Sequence, residues 1–187
     1  MNNLKLLVFI FSIIPTLLLA DVSKHIIDSE TKLVGWKLDQ AGLELELNQL
    51  LPNQTRAFFQ ARGFSVKHAN DIATGCIYQT IVRNKADKPI TILLKQWQIK
   101  TRDGTEQPIK LKEVWDSEWN DISQAARIAF RWSTFPTEQT FTSASDSNWG
   151  MISFGLNPGI SFDLHIFWQL DHELQDIWIK DMQCPTD

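Results

Sequence analysis

Leu43, Leu45 and Leu47 alternate with Glu44, Glu46 and Asn48, a period of two that predicts a strand with one buried face. Pro52 ends that pattern. Residues 53 to 75 then predict two short helices. Thr55 to Ala61 is stopped by Gly63, and Val66 to Thr74 is capped by Ser65 and stopped by Gly75. The β pattern returns at Ile77 to Val82, and after a polar turn at Asn84 to Pro89 it continues through Ile90 to Thr101. Ile90, Ile92 and Leu94 share one side of that run while Trp97 and Ile99 share the other. The buried face therefore switches near Gln96, as it does at a bulge or where a strand passes between two sheets.

Asp103-Gly104 predicts a hairpin turn, with a return strand that puts Ile109 and Leu111 on one face and Lys110 and Lys112 on the other. Trp115 and Trp119 are four apart, a helical spacing that suits a short turn within Glu113 to Asp121. Arg127 to Trp132 has two readings. As a strand it turns Ile128, Phe130 and Trp132 inward and Arg127, Ala129 and Arg131 outward. As a helix it would be capped by Ser123 and packed through Ala125, Ile128, Ala129 and Trp132. The strand is favoured because Phe and Trp suit sheets and Pro136 soon follows. Thr137 to Asn148 is polar and predicts a surface loop.

Trp149 to Leu156, a turn at Asn157-Pro158-Gly159, and a strand with Phe162, Leu164, Ile166, Trp168 and Leu170 on one face lead to a last strand after Asp171 to Glu173. About eight closely spaced strands predict a mainly β chain: an antiparallel immunoglobulin-like β-sandwich with a short helical insertion at about residues 53–75. Architecture of this kind carries no function with it.

Length and charge narrow the picture. Residues 1–20 have the layout of a secretory signal peptide, with Lys5 ahead of an apolar run and Ala20 at the cut, so residues 21–187 form one domain in the periplasm or secreted space. Leu4 to Ala20 is short for a spanning helix and holds Pro15, which argues against a stable membrane anchor. The 18 basic and 22 acidic residues give a net charge of −4, opposite to what a nucleic-acid partner selects. Cys76 and Cys184 form an even pair in an oxidising compartment and predict a disulfide that staples the chain end to an early strand.

Recognisable catalytic motifs are few. The sequence has no Gly-x-Gly, no Gly-x-Ser-x-Gly and no His-x-His or His-x-x-x-His. Three constellations remain. Eight tryptophans are an unusual number for this length, and Trp115 and Trp119, with Arg127 and Arg131 on one strand face, form a candidate binding surface for a protein partner or small ligand. That reading, an exported and non-enzymatic binding domain needing no cofactor, is the first expectation. Asp116, Glu118 and Asp121 beside those tryptophans suit a small carbohydrate hydrolase instead. Asp163 and His165, two apart on a strand, could share a metal in a periplasmic metal-binding protein.

Overall fold

The computed structural model describes residues 21–187, so the predicted signal peptide at 1–20 lies outside the described residues. Within them the chain is mainly β, 43% strand against 22% helix, with two antiparallel sheets.

The first sheet is built from β1 (Asp21–Ile26), β2 (Val34–Gln40), β3 (Leu43–Gln49), β4 (Ile77–Asn84) and β9 (Ser147–Ser153), in the order β1-β2-β3-β4-β9. Leu43, Leu45 and Leu47 are buried as their alternation requires, and their partners across the ladder, Leu38 on β2 and Val82 on β4, are buried with them.

The second sheet holds β5 (Ile90–Leu93), β6 (Gln98–Thr101), β7 (Glu106–Pro108), β8 (Glu138–Phe141), β10 (Ser161–Leu170) and β11 (Glu173–Gln183). β11 runs along the whole of one edge of β10. β5 and β6 share the other edge, pairing with Trp168–Leu170 and with Phe162–His165. Between them Leu94–Gln96 forms one 3-10 turn. This is the face switch near Gln96: the turn lets Ile90, Ile92, Leu94, Trp97 and Ile99 all be buried although they fall on opposite sides of a straight strand.

Inward residues of both sheets form one core, with Leu38, Leu45, Leu47 and Tyr78 from the first and Ile92, Ile99, Phe162, Leu164, Ile166 and Trp168 from the second. Cys76 and Cys184 form the expected disulfide across a sequence separation of 108, joining the start of β4 to the end of β11. In the chain-entropy model a loop of this length contributes about 4–5 kcal/mol.

Four helices make a second, smaller core on the outer face of the first sheet: α1 (Pro52–Gln60), α2 (Val66–Ala73), α3 (Lys112–Glu118) and α4 (Gln124–Ser133). Phe59, Phe64, Ile72, Trp115, Trp119 and Phe130 gather there over Ile77 and Met151. Ser65 caps α2 as the sequence indicated, its Oγ accepting the His68 backbone N–H at 3.2 Å.

Three sequence expectations are corrected. Residues 127–132 are not a strand but the body of α4, started by Ser123, whose Oγ accepts the Ala126 N–H at 3.2 Å. Local capping and an alanine-rich first turn outweigh the β preference of Phe and Trp. Helical periodicity then buries Ala126, Phe130 and Ser133 and turns Ile128 and Trp132 to solvent, so Trp132 is not a core residue. The polar stretch 137–148 is not all loop, because β8 pairs with β5 there and buries Phe141. The return strand after Asp103-Gly104 is short. Lys110 bridges to Ser153 and Lys112 opens α3.

Candidate functional site

Helix α3, the turn after it and α4 bring all four predicted binding residues together, with both tryptophans inside the helical layer, Arg127 half-buried and Arg131 at its exposed rim. Trp115 and Trp119 stack with centroids 5.9 Å apart and are only 5% and 4% exposed. Trp119 also meets Phe130 edge-on at 4.7 Å. Arg127 reaches back from α4, donating to the backbone carbonyls of Asp116 at 2.9 Å and Trp119 at 2.6 Å and to the Asp116 carboxylate. Arg131, one turn on, donates to the same carboxylate at 2.7 Å. Burial pushes the Asp116 carboxyl up, but the hydrogen bonds from Arg131 and Arg127 outweigh it and hold the pKa below the usual carboxylate value. The cluster is a clasp between two helices. It does not offer an exposed aromatic surface.

The carboxylates put forward for sugar hydrolysis are likewise engaged. Asp116 holds the two arginines, Glu118 accepts from Lys110 at 2.7 Å, and Asp121 lies 3.2 Å from His68 Nε2. Each of the three is thus held by a different basic partner.

Asp163 and His165 also separate. Opposite Asp163 the β10–β11 register slips, and Asp181 there has φ of 56°. Asp163 accepts the Asp181 backbone N–H at 3.0 Å and the Lys180 ammonium at 2.8 Å, which fixes the bulge. His165 instead bonds Asp176 at 2.7 Å and stacks on Trp178 at 4.3 Å. Among the described residues no group of three or more His, Cys, Asp or Glu side chains is placed to hold a metal ion.

The tryptophans that do reach solvent are others. Trp132 is 85% exposed on the last turn of α4, and Trp149 is 59% exposed on β9. Each lies two residues before one member of the Thr134–Met151 parallel bridge, which ties the end of α4 to β9. Trp149 shares the outer sheet face with Met151, on which the helical layer rests, and Ile128 is exposed one turn before Trp132. Trp149 also walls an open groove of about 540 Å³ floored by Gln79, Ile81 and Arg83.

Beyond Arg83 the same face carries a charged network. Glu44 meets Lys37 at 3.1 Å, Lys85 at 3.4 Å and the Arg83 guanidinium. Burial raises its pKa, yet Arg83 and Lys37 more than offset this and bring it to about 2. Neither sequence reading of Arg127 to Trp132 found this exposure: both the strand and the helix turned Ile128 and Trp132 inward, whereas the structure buries Ala126 and Phe130 and leaves Ile128 and Trp132 in solvent.

An apolar cavity of about 20 Å³, room for one water, lies where the two cores meet, lined by Phe59, Ile109, Trp115, Phe130 and Phe135. The buried Trp115 Nε1–H there has no protein acceptor. Compared with known protein families, curated proteins and solved structures, the chain matches none.

Proposed function

We infer that this chain is an exported binding domain that engages a protein partner through the face carrying Trp132, Trp149 and Ile128. The observation that carries this reading is the exposure of two large indoles beside the junction of α4 and β9. An exposed tryptophan forgoes the burial that its large apolar area would gain in the core, and tryptophans are over-represented among the residues that dominate binding energy. The neighbouring groove, with Arg83 and the carboxamide of Gln79, supplies the polar rim that such an interface needs.

Export fits the single disulfide and the absence, among the described residues, of any helix long and apolar enough to cross a membrane. In this reading the two sheets are an immunoglobulin-like sandwich, a rigid support on which the helical layer and β9 present the binding face.

The test is capture from the native exported fraction with wild-type protein and with Trp132→Ala/Trp149→Ala, identified by mass spectrometry and then measured with the purified partner. A stoichiometric partner whose affinity falls at least tenfold for each tryptophan removed supports the reading. A partner bound equally by the double variant, and lost instead on changing Leu174, exposed on the second sheet, would move the interface elsewhere.

A further inference from the structure

The geometry points to a ligand site on the open part of the first sheet: we propose that the groove beside Trp149 binds a neutral oligosaccharide of two to three pyranose units. The helical layer rests on Ile77 and Met151 and leaves the groove of about 540 Å³ open along Gln79, Ile81 and Arg83. These three alternate residues of β4 share the outer face with Ile77. The β4–β9 register sets Trp149 opposite Ile81 and Ser147 opposite Arg83. The exposed indole therefore belongs to the middle of the groove, with a carboxamide towards one end and a guanidinium and a hydroxyl at the other.

This combination matches the two surfaces of a sugar ring. A pyranose has an apolar face of C–H groups, which packs on a flat indole, and a rim of hydroxyls that need both donors and acceptors. The Gln79 carboxamide supplies both, as does the Ser147 hydroxyl, and neither is hydrogen-bonded to another side chain among the described residues. Arg83 bonds Glu44 and Glu46 through Nη1 alone, so its Nε and Nη2 groups still have hydrogens to donate. Its charge already lies against those two carboxylates, which suits a neutral hydroxyl better than a second anion. Asn148, the remaining wall residue, is committed to Gln139 at 2.6 Å.

Size and ladder geometry narrow the occupant further. Gln79 and Arg83 are four strand residues apart, about 13–14 Å, a span that two to three linked pyranoses cover and a single ring does not. An extended peptide would add to the sheet through an unpaired edge, but β4 is paired on both sides, to β3 and β9, so this floor offers side chains only. The site uses Trp149 and neither Trp132 nor Ile128. It thus goes beyond the protein-binding reading and stands without it.

The probes are cellotriose, maltotriose, mannotriose, triacetylchitotriose and trigalacturonate, titrated into the purified protein. The readouts are calorimetry and the indole N–H signals of nitrogen-15 spectra, with Trp149 assigned through Trp149→Phe. At least one neutral trisaccharide is expected to shift the Trp149 signal saturably, with a Kd below about 1 mM. Trp149→Ala should weaken that binding at least tenfold and Gln79→Ala severalfold, while Trp149→Phe keeps part of it through its own ring. The matching monosaccharide should bind at least tenfold more weakly than the trisaccharide. No saturable shift with any neutral probe, binding unchanged in Trp149→Ala, or preference for trigalacturonate overturns the proposal. Trp132→Ala should leave sugar binding unchanged while weakening a protein partner, so failure of this site and failure of the protein-binding face are read separately.

Discussion

Replacing Glu44 with Gln removes a charge that the fold surrounds with three cations, and its consequence can be worked through in numbers. The Glu44 side chain is 8% exposed, while Lys37, Arg83 and Lys85 are two-fifths to one-half exposed. Its pKa falls from 4.5 in the unfolded chain to about 2 in the fold, so the ionised form is favoured by up to ~3.4 kcal/mol at 1.36 kcal/mol per unit. Water and salt around the cations screen that figure, and about 1–2 kcal/mol is the expected loss at pH 7.

Because the folded value is the depressed one, this stability is fully present above about pH 4.5 and disappears as pH falls through about 2. Urea denaturation of wild type and Glu44→Gln between pH 7 and pH 2 should show a gap of about 1–2 kcal/mol that narrows steadily below pH 4.5, since protonated Glu and Gln are near-isosteres. Other acid-sensitive carboxylates, such as Asp116 and Asp163, titrate alike in both proteins and cancel from the difference. A gap that stays constant across this range, or one below about 0.5 kcal/mol at pH 7, would refute the electrostatic account and leave only packing.

Two further outcomes test the fold. Cys76→Ala/Cys184→Ala should cost about 2–5 kcal/mol in urea titration, and wild type in reducing agent should match the variant once the buried bridge is reduced. In α4, Phe130→Ala should destabilise by about 3–5 kcal/mol and Trp132→Ala by less than about 0.5 kcal/mol. A strand at 127–132 would make the two comparably severe, so thermal unfolding of the pair separates the structures.

The alternating leucines of β3, the run from Phe162 to Trp168, the Asp103-Gly104 turn, the Ser65 cap and the Cys76–Cys184 pairing were all legible in the sequence. Each rests on a local rule: a period of two, a residue that tolerates positive φ, a capping oxygen, or an even number of cysteines in one chain. Residues 124–133 satisfied two local rules at once. The Ser123 cap and the alanines favour the helix locally, and Phe130 packing on Phe59, Phe64 and Trp119 from distant segments fixes which of its faces is buried. Arg127 and Arg131 similarly read as a free pair on a strand until α3 placed the Asp116 carboxylate beneath both.

The sequence by itself therefore determined that the chain is mainly β, where several strands turn, and that its two cysteines join, because those features depend on neighbours within a few residues or on pairing without alternatives. Only the tertiary structure decided which tryptophans are buried, which charges are neutralised, and that Asp121 approaches His68. Those facts depend on contacts between segments far apart in the chain, where burial of apolar area and satisfaction of buried polar groups select among local patterns that are each acceptable alone.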